Sequence, residues 1–285
     1  DPETLLPELL PFIMQAKAFH EHSKRESKGS VNPYVNFSDL AWYEFALPPL
    51  EEQRRIAEVL QATQANSEAI RHTVASSKDV LDSFLETQLD PKRQKWTEAS
   101  IQDLFLVQSG GTPSRRKREY WGGSVPWVKT GEVRYQVINE TEEKITEIGL
   151  KNSSAKLVPA GTVLVALFGQ GPTLGRVGML GIEAATNQAC ACIIPNNDQS
   201  IRFLYFFLQR QYERMRALAR GANQPNLNLT IIKNLKVPLL PIEQQLEWVS
   251  RIEEISSAVT KAKARLDLHR EFSKQLLASL LGREQ

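Results

Sequence analysis

Apolar positions recur along the chain in two contrasting rhythms. Between residues 49 and 90, Ile56, Leu60, Thr63, Ser67, Ile70, Val74, Ser77, Leu81 and Phe84 follow one another in steps of four and three. The spacing returns over residues 241 to 285 at Trp248, Ile252, Ile255, Val259, Ala262, Leu266, His269, Ser273, Leu276 and Leu280. Steps averaging about 3.5 residues define a coiled-coil seam. Each stretch predicts a helix of about 40 residues, about 60 Å long at the rise of an α-helix. Pro49 and Pro241 precede these helices with a glutamate in the first turn, and Asp90-Pro91 should end the first. A helix with one apolar stripe must bury it, and the other helix is the natural mate. Thr63, Ser67 and Ser77 are poor core residues, so the seam should be narrow and partly open there. His269 calls for a polar partner across the helices.

Between these helices the rhythm shortens. KLVPAGTVLVALFG has a turn at Pro159-Ala160-Gly161 followed by an apolar run of strand length, and GRVGMLGIEAATNQACACIIP reads as two or three further strands. IRFLYFFLQRQYERMRALAR then reads as a helix, with Arg210, Arg214, Arg216 and Arg220 in or near its second half, where the helix dipole favours cations. The fold class that follows is α+β: a mixed α/β domain with short twisted strands, flanked by two long helices packing as an antiparallel coiled coil.

A repeat organises the whole. KGSVNPYVNFSDLAWYEFALPPLEEQRRIAEVL and RGANQPNLNLTIIKNLKVPLLPIEQQLEWVSRI lie 192 positions apart, so that Gly29 matches Gly221, Pro33 Pro225, Asn36 Asn228, Pro49 Pro241, Glu51 Glu243 and Gln53 Gln245. The organisation expected is 1–48 as the C-terminal part of a first domain, 49–90 as a spacer helix, 91–240 as a second domain of the same kind, and 241–285 as a second spacer helix.

Composition narrows the class. At 285 residues and 41% apolar content the chain can bury a real core. Its apolar runs fall far short of the ~20 residues a membrane span requires, which predicts no membrane partner. Cys190 and Cys192, two apart on one face of a strand, read as buried thiols of a reducing cytoplasm rather than as a disulfide or zinc site. The net charge of +2 conceals a division. Residues 91–240 carry 20 Lys/Arg against 11 Asp/Glu, or +9, whereas residues 1–90 carry 8 against 15, or −7. A polyanion partner is thereby indicated for the middle of the chain alone.

The densest chemistry lies in SGGTPSRRKREYWGGSVPWVKTGEV, residues 109–133. Gly110-Gly111-Thr112-Pro113-Ser114 has turn chemistry, since glycine permits positive φ and proline fixes the next angle. The run Arg115-Arg116-Lys117-Arg118 cannot all face a core. Exposed, it would supply salt-sensitive affinity for phosphates, and an Arg or Lys reaching a groove could read guanine. Trp121 and Trp127 read as core anchors of the loop rather than stacking platforms.

These segments carry a resemblance. SGGTPSR, YWGGSVPWVKTGEV, GPTLGRVGML and GANQPNLNL running into VPLLPIEQQ occur in the order found in target-recognition domains of type I restriction–modification specificity subunits, and NPYVNF with LPPLEEQRRIAEVL resembles the same ending from a first such domain. The resemblance implies a chain without catalytic activity of its own, reading one half of a bipartite target in double-stranded DNA. It implies long helices that dock adenine methyltransferase subunits, which carry S-adenosylmethionine, and a restriction subunit that uses ATP and Mg. It places DNA contacts at Thr112, Ser114, Arg115, Arg116, Lys117 and Arg118, then at Lys129, Thr130, Arg176, Arg220, Asn223 and Gln224. Residues 1–46 match only the last part of a recognition domain. Two readings of that stay open: an N-terminally incomplete chain, or a natural half-subunit that pairs with a second copy.

Other signals lead elsewhere and are weaker. Asn32-Pro33-Tyr34 resembles a shortened amino-methyltransferase motif but lacks one proline and an upstream Gly-rich cofactor loop. GQGPTLGRVG lacks the Lys-Ser/Thr ending of a phosphate loop. His20 and His22 read as a solvated helix end without a third metal ligand. The alternative to DNA reading is a non-catalytic coiled-coil scaffold that binds protein partners through its basic domain.

Overall fold

The computed structural model describes residues 3–88, 96–169, 171–196, 198–219 and 226–281. They form two compact units, residues 81–254 and residues 1–80 with 255–285.

In the first of these units, the apolar runs become strands covered on both faces. The elements in chain order are β1 (Glu98–Ser100), α5 (Ile101–Leu104), β2 (Leu106–Ser109), β3 (Trp121–Val128), β4 (Val137–Ile138), β5 (Glu143–Ile145), α6 (Glu147–Lys151), β6 (Val163–Ala166), β7 (Val177–Leu180), β8 (Ala185–Thr186), β9 (Cys190–Ile194), α7 (Ile201–Arg210), α8 (Tyr212–Leu218), α9 (Leu229–Asn234) and β10 (Lys236–Pro238), with α1 to α4 preceding them in the chain. A five-stranded sheet runs β2-β9-β6-β7-β4, antiparallel except where β4 joins β7. Side chains alternate across it as strand geometry requires. Val163, Val165, Val177, Met179, Ala191 and Ile193 face one core, closed by Phe203, Phe207 and Leu208 of α7. Leu164, Ala166, Leu180, Cys190 and Cys192 face a second. Both cysteines thus share one face, as free buried thiols. A three-stranded sheet, β5-β3-β8, encloses Val125, Trp127, Ile145 and Ala185. The ribbon β1-β10 pairs the start of the domain with its end.

The two long helices are α4 (Leu50–Gln88) and α10 (Ile242–Leu281). They pack together with opposite chain directions, since Asn66 and Ser67 meet His269 while Leu60 lines the same cleft as Leu277. Between Ile56 and Phe84, each predicted seam residue of α4 is less exposed than the helix's outer face, with Ile56, Leu60, Ser67 and Ile70 buried and Thr63, Val74, Ser77, Leu81 and Phe84 half-buried. On α10, Trp248, Ile252, Val259 and Leu266 are buried and Ile255, Ala262, His269, Ser273 and Leu276 half-buried, while the side chain of Leu280 lies outside the described residues. The hydroxyl of Ser67 and the amide of Asn66 each lie 2.9 Å from one ring nitrogen of His269, so the weakest seam layer is closed by hydrogen bonds.

The remaining unit begins with α1 (Leu10–Gln15), α2 (Lys17–Arg25) and α3 (Phe37–Leu40). Leu9, Phe12 and Ile13 pack on Ile56, Ala57 and Leu60 of α4. At an offset of 192, Ile201, Leu204 and Tyr205 pack with Trp248, Val249 and Ile252 in the other unit. Each long helix also carries a buried glutamine in its first turn. The Gln53 side chain donates to Thr4 O and Pro48 O and accepts from Leu6 N, each at 2.8 Å. Gln245 donates to Leu240 O at 2.8 Å and Gln199 Oε1 at 2.7 Å, and accepts from Ser200 N at 3.0 Å. The sequence repeat is therefore a repeat of packing and of hydrogen bonding.

One sequence reading is corrected here. His22 is buried, within 3.1 Å of Asp39 O on one side and of Arg25 on the other, because Tyr43 packs beside its ring. His20 stays exposed. Among the described residues no three His, Cys, Asp or Glu side chains gather where a metal could sit, and no helix is long and apolar enough to cross a membrane.

Candidate nucleic-acid interface

The loop between β2 and β3 is built as a rigid platform. Gly110 and Gly111 are not at positive φ, contrary to the turn chemistry expected of them. They are glycines because a Cβ at Gly110 would strike Thr186, and one at Gly111 would strike the backbone of Ser154 and Ala155. The backbone is pinned by Gly111 N donating to Thr186 O at 2.8 Å and by the buried Trp127 indole donating to Gly111 O at 3.0 Å. The Trp121 indole donates to Ser114 O at 3.2 Å, and its ring meets Trp127 edge-on at 5.0 Å. Both tryptophans thus anchor the loop.

The basic run divides on this platform. The Arg115 guanidinium lies 3.6 Å above the Trp121 ring and forks onto both carboxylate oxygens of Glu143. Lys129 reaches Glu142 at 2.7 Å and Glu143 at 3.2 Å. Hydrogen bonds from Arg115 and Lys129 hold the Glu143 carboxyl below its ordinary pKa, and the bond from Lys129 does so for Glu142. The same two carboxylates raise Lys129. Lys117 donates to the Tyr120 hydroxyl at 2.9 Å, which raises the lysine in turn. Arg116 and Arg118 are exposed, and among the described residues their side chains have no hydrogen-bond or ion-pair partner. These two are the cations of the run that an approaching polyanion meets unpaired.

The other predicted contacts scatter. Thr112 is bonded to Gln188, and Ser114 is exposed. Thr130 is buried, its hydroxyl donating to Asn187 Oδ1 at 2.9 Å, so it faces the interior instead of solvent. Arg176 sits half-exposed in the turn before β7. Arg220, Asn223 and Gln224 lie outside the described residues.

A second cluster escaped the sequence reading. Tyr135, with φ 58°, is the one non-glycine residue at positive φ among the described residues. It is 40% exposed, and its ring meets that of Tyr212 edge-on at 6.0 Å. Arg216 lies 5.3 Å over the Tyr212 ring and donates to Tyr212 Oη at 3.0 Å and to Gly171 O at 2.8 Å. Tyr135 N donates to Val177 O at 2.8 Å, which brings it beside Arg176. Burial pushes the Tyr135 hydroxyl up to about 12, with the charges of Arg176 and Arg216 acting against the rise. Arg216 was visible in the sequence, but as a cation suited to a helix end. Nothing local joins Tyr135 to Tyr212.

Comparison with known proteins agrees with this architecture. The chain is 26% identical over 198 residues to the specificity subunit of the type I restriction enzyme MjaIX of Methanocaldococcus jannaschii, covering 68% of this chain and 45% of that one. It is 28% identical over 164 residues to the HindI specificity subunit of Haemophilus influenzae, covering 56% and 35%. The chain therefore spans less than half the length of these relatives. In fold it is similar to the S subunit of a type I restriction–modification system from M. genitalium, at TM-score 0.63 and 17% identity over 100% of this chain and 75% of that one. The pattern of type I restriction–modification DNA specificity domains matches residues 6–75 and 93–267, across both copies of the repeat and into both long helices. On that match, the chain belongs to the family of type I restriction–modification DNA specificity domains.

Proposed function

We propose that residues 91–240 read one half of a bipartite sequence in double-stranded DNA, and that α4 and α10 hold partner subunits. The observation that carries this reading is the loop after β2. Its tryptophans and glycines fix the backbone, Arg115 and Lys129 are neutralised internally, and Arg116 and Arg118 remain free on the exposed side. Unpaired arginines on a rigid loop can meet phosphates with little ordering cost, and one that reaches the major groove can fork onto guanine. The excess of +9 over residues 91–240 favours approach of a polyanion to this part of the chain.

The expected partners are adenine methyltransferase subunits on the helices, with S-adenosylmethionine bound there, and a restriction subunit using ATP and Mg. Methylation and cleavage then belong to those subunits, and this chain supplies binding and register in the cytoplasm. The test is enrichment of random duplexes by the chain copurified with its cognate methyltransferase subunit at near-physiological salt. Two short motifs at a fixed gap support sequence reading, and identical inverted motifs add self-pairing of two copies. Recovery of no motif, with only weak salt-dependent binding, refutes it.

A further inference from the structure

The cluster around Tyr135 has three properties that packing alone leaves unexplained. A bulky side chain occupies left-handed backbone, where Cβ meets the following carbonyl and where glycine or asparagine is the ordinary choice. The strained residue leaves its aromatic side chain 40% exposed instead of enclosing it in a core. Its neighbours are fixed in place: Tyr212 donates to Pro172 O at 2.8 Å, and Arg216 binds both Tyr212 and Gly171, which holds the turn carrying Arg176 against α8. Gly175 sits in that turn at φ 82°, a backbone conformation that favours glycine, and it packs directly against Arg216 and Tyr212. Arg176 itself has no hydrogen-bond or ion-pair partner among the described residues for its side chain.

An exposed ring on strained, braced backbone beside an unpaired guanidinium is the arrangement of a stacking contact flanked by a phosphate contact. We propose that Tyr135 and Arg176 form a second DNA contact of this domain, with the Tyr135 ring against a base or deoxyribose and Arg176 on an adjacent phosphate. Tyr212 and Arg216 are positioning residues that hold the pair. This rests on the reading of the domain as a DNA binder and adds residues that the basic loop does not contain.

The two contacts predict different signatures in the full chain titrated with a mixed-sequence duplex. Arg176→Gln should weaken binding to all sequences and reduce the salt slope by about 0.9, the share of one phosphate contact. Tyr135→Asn, which keeps the backbone conformation without the ring, should weaken binding by about tenfold or more with the slope unchanged, and Tyr135→Phe should bind as the unaltered chain does. In the unaltered chain, duplex should shield Arg176 from phenylglyoxal, a readout that needs no substitution. An Arg116→Ala, Arg118→Ala variant measured alongside separates the two ideas. If that variant loses affinity while Arg176→Gln and Tyr135→Asn do not, or if Arg176 stays fully reactive under saturating duplex, the second contact is overturned and the loop reading survives. If no variant loses affinity, the DNA reading itself falls.

Discussion

Replacing Gln245 by leucine tests whether the buried glutamine locks the start of α10 to the start of α7. The side chain is 1% exposed and serves Ser200 N, Leu240 O and the Gln199 amide. Gln199 is half-exposed and can turn to water, but Leu240 is buried and Ser200 half-buried, so two backbone groups lose their partner. An orphaned buried polar group costs about 1–3 kcal/mol, and the partial access at Ser200 trims its share, giving about 2–4 kcal/mol. Ser200 also caps α7 by accepting from Phe203 N, so its release frays that helix. Because the chain has two units, one global unfolding energy is the wrong readout, and amide exchange resolved by residue is the right one. Exchange at the α7 start should accelerate by about 30- to 700-fold, a tenfold change for each 1.4 kcal/mol. Gln53→Leu should act in the same direction around Leu6, but less, because Thr4 is exposed and Leu6 and Pro48 are half-exposed and can rehydrate. Gln245→Glu should be worse than leucine at neutral pH, since it buries a negative charge against the oxygens of Leu240 and Gln199, and should recover as acid protonates it. Unchanged exchange at Ser200 in Gln245→Leu, or acceleration confined to the unit that was not altered, would refute the assignment of the glutamine as a lock.

Other expectations follow from the loop and the core. Arg116→Ala with Arg118→Ala should lower the salt slope of duplex binding by about 1.8, and Arg115→Ala should change it by much less, because Arg115 is already paired with Glu143; equal changes from Arg115 and Arg116 would contradict the division of the run. The Glu143 carboxyl is held low in the fold, so its pairing contributes stability above the ordinary carboxylate pKa and loses it as pH falls through the depressed value. Acidification should therefore free Arg115 from Trp121, and tryptophan fluorescence that stays flat down to the acid unfolding transition would count against this. Burial pushes both thiols up, Cys192 to about 11, so neither should react with a thiol reagent before unfolding, and rapid labelling of native protein would show the second core to be open.

Much of the fold was legible because its signals are periodic. The steps of four and three located both long helices, and the 192-residue repeat located their starts, since each Pro-Leu/Ile-Glu stands at the same point of a duplicated unit. Of the two or three strands expected after Gly175, three form. The site was less legible, for a physical reason. Whether Arg115 is a free cation depends on Glu143, which arrives through the antiparallel pairing of β5 with β3, and no local pattern encodes that pairing. The glycine pair invited a positive φ, yet what it answers is the close approach of Thr186 and Ser154, again a contact across distant chain. The burial of Thr130 was illegible for the same reason, since its partner Asn187 comes from beyond β8.

The His269 layer makes the helix pair resistant to slippage. If α10 slid by one heptad against α4, His269 would face Leu60 or Val74 in place of Ser67, and its ring nitrogens would lose both partners while an apolar layer elsewhere gained a hydroxyl. Such a slide would displace anything carried on the helices by about 10.5 Å, which is about three base-pair steps along a duplex. One imidazole, held by a seam serine and its asparagine neighbour, thus works as the zero mark of a ruler, giving the pair a single admissible register.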